Sequence, residues 1–281
     1  FQTEGLATAK RGYIHLIWSG NPSRLESLYN SFMEALKNKK YNISKDLSDQ
    51  GVKISETWLS DMTKEMDHYY LIGFSFETGK EMGAGFINAF LEKTAREFKD
   101  TAEQQEPGKV EILMAVLSNY TPGSYVTMKV ECPVDALGVI HSSMKGSQFA
   151  EKFQKAVQVG KYSVSRAVTN NKGIMNGIEA VLMATGNDFR AVEAGSHAYS
   201  IVKGKPESLT DCQVSDGTFT FRITIPIALG IESEVTRRHP LASRSLEILG
   251  HPSVKELMKI AAAVGLASNF GGITSLITAS C

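Results

Sequence analysis

Apolar and polar positions alternate along 12–18, GYIHLIW, with the two-residue period of a strand. From Pro22 the period lengthens, and 22–39, PSRLESLYNSFMEALKNK, reads as an amphipathic helix opened by that proline. Alternation returns at 52–59 (VKISETWL) and 68–78 (HYYLIGFSFET). A helical pattern follows at 81–100 (EMGAGFINAFLEKTAREFKD), then a strand at 109–119 (KVEILMAVLSN). The segment 101–108, TAEQQEPG, reads as a polar loop punctuated by proline. The order β-α-β-β-α-β predicts a ferredoxin-like sheet carrying both helices on one face.

Beyond Asn119 the character changes. YTPGS is a turn cluster, 125–134 (YVTMKVECPV) alternates as a strand, and a long helical region runs from about Ser147 to Thr169. Gly177–Ala184 has helical spacing and stops at Gly186, so Lys172 precedes that helix and Asp188 follows it. Asp188 is also a favoured N-cap for the next helix, which reaches about Val202. The strand FTFRITIPIAL (219–229) and helical segments from Pro240 and Pro252 close a second α+β domain. Ile260–Ser280 carries no charge and is long enough to span a bilayer. Its Asn269, three serines, two threonines and three glycines fit a buried, tightly packed helical region better.

Composition narrows the classes. The 281 residues suit one large or two medium domains with a sizeable core. Thirty basic and thirty acidic residues give a formal net charge of zero, which makes no electrostatic case for nucleic acid or an anionic membrane. Three scattered cysteines and six histidines form no metal-ligand spacing, so a metal-free, reducing, cytoplasmic setting is expected. The opening at Phe1 reads as the interior of a longer sequence.

Two places could carry chemistry. Gly83 and Gly85 open the helix from Glu81, where backbone N–H groups and the helix dipole favour an anion; the competing reading is a small-residue packing face. IGFSFE (72–77) faintly resembles the aromatic strand of RNA-recognition modules, but alternating Phe74 and Phe76 fit a core face better. The denser cluster is Arg166, Lys172, Asn176 and Asp188, crowded into 23 residues otherwise rich in small and apolar types. An arginine grips a carboxylate through two parallel hydrogen bonds. A lysine near an aspartate stays protonated and can serve a developing oxyanion. Together they suit an acidic substrate whose carbonyl is attacked.

The runs GIEAVLMATGNDFRAVEAGSHAY, HPLASRSLEILG, AAAVGLASNF, EMGAG and EILMAVLSNYTP resemble class II 3-hydroxy-3-methylglutaryl-CoA (HMG-CoA) reductase over nearly the whole chain. The resemblance implies a ferredoxin-like NAD(P)-binding domain (11–120) inserted in a larger α+β HMG-CoA-binding domain (1–10 and 121–281). It implies reduction of HMG-CoA to mevalonate and CoA with NADPH or NADH, or the reverse. It assigns Lys172 and Asp188 to catalysis, Arg166, Asn176 and Asn269 to substrate binding, and Glu81, Met82, Gly83, Ala84, Gly85 and Asn119 to the cofactor. Ser55 is a candidate for the cofactor ribose. The cofactor-helix motif, usually DAMGAN, stands here as KEMGAG. The family's catalytic glutamate would lie ahead of Phe1 and its histidine beyond Cys281. The alternative is a non-catalytic scaffold of the same fold.

These readings carry geometric expectations. The resemblance implies a homodimer, or higher homo-oligomer, whose active site draws on both subunits. Lys172 and Asp188 are expected to meet as a largely buried pair, with Asn176 nearby and Arg166 on the same cleft, facing the helix that starts near Glu81.

Overall fold

The computed structural model describes residues 1–38, 52–77, 84–140, 144–231 and 238–279. The chain divides into a smaller unit, Ala9–Ser118, and a larger one, Phe1–Thr8 with Asn119–Cys281. The first strand, β1 (Gln2–Trp18), belongs to both, its first seven residues to the larger unit and the rest to the smaller.

In the smaller unit β1 is followed by α1 (Pro22–Lys37), β2 (Lys53–Asp61), β3 (Tyr69–Glu77), α2 (Ala84–Gln105) and β4 (Val110–Leu117). The strands lie in the order β2-β3-β1-β4, every neighbour antiparallel, which is the ferredoxin-like arrangement. Alternate strand residues Ile14, Leu16, Trp18, Ile72, Phe74 and Phe76 are buried with Leu25 and Phe32 of α1 and Phe90 and Phe98 of α2. Phe74 and Phe76 therefore face the helices, each meeting the Phe90 ring edge-on. Residues 101–105, expected as loop, extend α2. Ala102 is fully buried and continues the apolar stripe from Phe98, and Gly108, at φ 70°, follows the helix.

In the larger unit residues 2–8 of β1 pair with β5 (Ser124–Pro133), which pairs with β9 (Thr218–Pro226), which pairs with β8 (Thr210–Ser215). Between β5 and β8 come a 3₁₀ turn (Val134–Val139), α3 (Gly146–Tyr162), α4 (Val164–Ala184), α5 (Phe189–Tyr199) and a small hairpin of β6 (Ile201–Val202) and β7 (Lys205–Pro206). After β9 come α6 (Pro240–Ile248) and α7 (Val254–Thr278). Phe149, Phe153, Ile174, Ile178, Phe219, Phe221, Leu257 and Leu266 join helices and sheet in one core.

Two helix expectations change here. The region from Ser147 to Thr169 is broken at Ser163, whose extended backbone ends α3 and whose hydroxyl caps α4 by accepting from Arg166 N at 3.4 Å. Lys172 does not precede a helix but sits inside one, because α4 runs unbroken through Gly173 and Gly177.

At Gly177 the backbone of α7 approaches closely enough to require glycine. A Cβ on Gly177 would lie 2.7 Å from the Val264 carbonyl oxygen, and one on Gly265 would lie 2.6 Å from Ile178 Cγ1. The Ser268 hydroxyl donates to the Gly173 carbonyl at 3.0 Å. α7 is long and apolar enough to cross a bilayer, and 39% of its most apolar window is buried. Gly177→Val is expected to cost about 2–3 kcal/mol, read as a lower urea midpoint, because a backbone atom cannot step aside. Gly271→Ala, with open space around it, should be neutral or stabilise by about 0.5–1 kcal/mol. Equal effects of the two would show that the α4–α7 crossing is loose.

Candidate active site

One helix carries three of the singled-out residues. Ala167, Asn170, Asn171, Ile174, Met175, Gly177, Ile178 and Leu182 form the buried side of α4. Lys172 and Asn176 lie on its outward side, one turn apart, and Arg166 is half-buried near the start. At about 100° per residue the three fall within roughly 120° of arc, spread over about 15 Å of axis. Two cationic groups and an amide thus line one strip of a rigid element.

The turn beneath Lys172 is anchored by polar side chains in the interior. The Asn171 amide donates to the Glu207 carbonyl at 2.9 Å, and its oxygen accepts from Leu209 N at 3.0 Å. The Asn170 amide donates to the Ser208 hydroxyl at 2.7 Å and to Thr210 Oγ1 at 3.2 Å. Asn269, on α7, donates to the Asn170 carbonyl and to Asn170 Oδ1, at 3.3 and 3.0 Å, and accepts from the Thr210 hydroxyl at 2.9 Å. Asn170, Asn171, Ser208 and Thr210 were missed in the sequence, whereas Asn269 was singled out there for substrate binding and stands here buried among interior partners. The available signal was a pair of asparagines on the apolar side of a helix, where an amide survives only if its hydrogen bonds are met.

Asp188 lies elsewhere. α4 ends in a turn where Gly186, at φ 70°, takes a left-handed conformation that favours glycine, and Asn187 N donates to the Leu182 carbonyl. The side chain of Asn187 holds this turn by accepting from Gly230 N at 2.9 Å. Asp188 then caps α5, accepting from Ala191 N at 3.2 Å, with Arg190 Nε at 3.8 Å. α5 runs back beside α4. Burial is the main cause that holds the Glu179 carboxyl above its ordinary range; Glu193 also raises it, while His197 and Lys172 pull it down. Lys172 stands twelve residues before the end of α4, about 18 Å along the axis. The expected pair within one chain is therefore corrected: no ion pair joins Lys172 to Asp188, and both are exposed, not buried. The rise of the helix that was to bring them together holds them apart.

The remaining residues fall in three places. Glu81, Met82 and Gly83 lie outside the described residues. Ala84 opens α2, and Gly85 in its first turn is exposed, with no heavy atom of a non-neighbouring described residue within 4 Å of where a Cβ would stand. Leu117 N donates to Asn88 Oδ1 at 2.7 Å, tying the opening of α2 to β4. Asn119 is exposed, and its carbonyl oxygen would lie 2.6 Å from a Cβ on Gly195, so the missing side chain lets α5 pass close by. Ser55 stands on β2 and donates to the Ser75 carbonyl at 3.2 Å. Among the described residues, no group of three or more His, Cys, Asp or Glu could hold a metal ion.

The family model for hydroxymethylglutaryl-coenzyme A reductase matches residues 9–280. The 3-hydroxy-3-methylglutaryl-coenzyme A reductase of Archaeoglobus fulgidus is 38% identical over 199 residues, 70% of this chain and 42% of that protein. A probable 3-hydroxy-3-methylglutaryl-coenzyme A reductase of Borreliella burgdorferi is 30% identical over 256 residues, 84% of this chain and 56% of the relative. The chain thus spans about half the length of the curated relatives it matches. Among solved structures, the class II enzyme from Streptococcus pneumoniae bound to NADPH in open conformations superposes with a TM-score of 0.85 at 27% identity, covering 98% of this chain and 72% of that one. Another structure of the Streptococcus pneumoniae reductase gives 0.84, also at 27% identity, covering 98% of this chain and 63% of that one. With the fold matched along its whole length and the family model covering nearly all of it, the chain belongs to the class II hydroxymethylglutaryl-coenzyme A reductase family.

Proposed function

We propose that this chain carries the HMG-CoA-binding and carbonyl-activating part of an NAD(P)H-dependent reductase that converts HMG-CoA to mevalonate and CoA, or runs the reverse. The observation that carries the reading is the common strip of Arg166, Lys172 and Asn176 on α4. A thioester carbonyl that accepts hydride develops negative charge on oxygen, and the Lys172 ammonium is held to meet it. A preorganised donor at such an oxygen is typically worth about 3–4 kcal/mol. The same ammonium serves the aldehyde oxygen in the second reduction, after CoA leaves as a thiolate. Arg166 takes the HMG carboxylate through two parallel hydrogen bonds, and Asn176 contributes an amide one turn beyond Lys172.

Two molecules of nicotinamide cofactor, bound in turn, would supply one hydride each. The fit of the cofactor rests on the smaller unit, where Gly85, with open space around it among the described residues, stands in the first turn of α2, whose N–H groups suit a phosphate. Ala84 and Gly85 are the described residues of the smaller unit that would hold it.

A second copy of the chain completes the site. Val164, Val168 and Met183 expose apolar surface on α4, and Val159 and Tyr162 do so at the end of α3; Tyr162 is 80% exposed. A homodimer burying more than about 2,000 Å² would cover them. Since Asp188 lies past the end of α4, at the cap of α5, the pairing of lysine with aspartate would be between copies. Cys132 and Cys212 are free thiols, in keeping with a cytoplasmic setting.

Absorbance at 340 nm with HMG-CoA and each nicotinamide cofactor, run in both directions on the complete gene product, tests the reading. No change in any arm would leave the non-catalytic scaffold. Arg166→Ala should raise the KM for HMG-CoA about 30-fold or more, through loss of a charge-assisted bidentate contact. Affinity for CoA itself should stay within about threefold. Equal weakening of both ligands would make Arg166 structural.

A further inference from the structure

The polar network under Lys172 has a composition that neither packing nor ligand contact accounts for. Asn170, Asn171, Ser208, Thr210 and Asn269 are all nearly or completely excluded from solvent. The side chains of Asn170, Ser208, Thr210 and Asn269 meet in an interior that is otherwise apolar. Asn269 has its oxygen bonded to Thr210 and its amide to Asn170 at two points. Its amide donors are thus committed to Asn170 and one acceptor position to Thr210, and only 3% of the residue is exposed to a substrate.

We infer, on the basis of the function proposed above, that Asn269, Thr210 and Asn170 are positioning residues that set the rotation of α4 and so the place of the Lys172 ammonium, with Asn269 acting from the interior and not on the substrate. Residues 170, 171 and 173 are each held from outside the helix: Asn170 from α7 and β8, Asn171 from the segment ahead of β8, and the Gly173 carbonyl from Ser268. At about 100° per residue these three positions span roughly 160° of the inner side of α4, and Lys172 points away from the middle of that arc. A roll of about 10° moves a group about 6 Å from the axis by about 1 Å. A misplacement of that size in a catalytic group can cost about 10²-fold in rate. An apolar contact at Asn170 would bury as much surface and fix no angle, whereas hydrogen bonds are directional.

The test compares variants that differ in whether they could ever touch the ligand. Thr210 is fully buried, so Thr210→Val removes the hydroxyl between Asn269 and Asn170 without altering any surface. In the complete gene product, Thr210→Val and Asn269→Ala should each lower kcat for HMG-CoA reduction about tenfold or more, with KM within about twofold. Thr210→Ser, which keeps the hydroxyl, should restore kcat to within about threefold of the parent. Should Thr210→Val not fold, Ser208→Ala, which deletes one partner of Asn170, carries the same comparison. A rise in KM with Asn269→Ala alone, Thr210→Val leaving both constants unchanged, would return Asn269 to the substrate and overturn the inference. So would a lowered melting temperature with full kcat in the folded variants. Turnover of the unsubstituted protein, measured alongside, reports on the proposed function, and the ratio of variant to parent reports on the positioning role.

Discussion

Lys172→Ala should lower HMG-CoA turnover to below about 1% of the parent while leaving HMG-CoA affinity within about tenfold, since its contribution belongs to the transition state. The variant should fold. Lys172 is exposed on α4, its neighbours Asn170, Asn171 and Gly173 keep their partners, and alanine is the best helix former. A thermal midpoint at or above that of the parent is therefore expected together with the loss of rate, and that combination separates chemistry from stability. Lys172→Arg should recover little, because a planar guanidinium presents its donors in a fixed fork and not as a compact charge. Retention of more than a few per cent of the parent rate in Lys172→Ala would remove the lysine from the mechanism. Single-turnover kinetics with saturating cofactor would show whether hydride transfer or product release had slowed.

The second large effect is complementation between two inactive proteins. Lys172→Ala and Asp188→Ala should each be inactive alone. Co-expressed with different affinity tags and purified through both, the mixed dimer should recover about half of the parent rate. If each site takes its lysine from one copy and its aspartate from the other, one of the two sites in the mixed dimer holds both substitutions and the other holds neither. If both residues came from one chain, every site would carry a substitution and no activity would return. The geometry of α4 favours recovery: the helix separates Lys172 from Asp188 by about 18 Å of rise, and Asp188 is half exposed at the cap of α5. A mixed dimer as inactive as its parents would refute the two-copy site.

The order of elements in the smaller unit was legible because each obeys one period, alternating in β1 and β3 and helical in α1. The last turn of α2 was hidden by glutamines and a nearby proline, which read as loop; the burial of Ala102 decided otherwise. In the larger unit the grouping of Arg166, Lys172 and Asn176 could be seen, but not that one helix carries all three. Asn170, Asn171, Gly173 and Gly177 are poor helix formers set on the inner side, and they break the apolar period that would have announced α4. What compensates is tertiary: a close-approaching α7 and hydrogen bonds from distant segments, neither of which is visible in a local window. The break at Ser163 was hidden for the opposite reason, since the helical pattern continues through a residue whose backbone does not. The placing of Lys172 beside Asp188 failed on length alone.

The shared strand β1 bears on the order in which the protein folds. Its larger-unit half pairs with β5, Thr8 opposite Ser124, across roughly a hundred residues of intervening chain. Its smaller-unit half pairs with β4, Gly12 opposite Leu117, and Ser118 N donates to the Arg11 carbonyl at 2.8 Å. The insert therefore leaves the chain almost where it entered. Once it has folded, the loop to be closed for the β1–β5 pairing shrinks from about a hundred residues to a handful, lowering the closure entropy by about 3 kcal/mol. The smaller unit thus acts as a clasp, and the larger sheet is expected to assemble after it, with amide protons of β1 residues 9–18 protected earlier during refolding than those of residues 2–8.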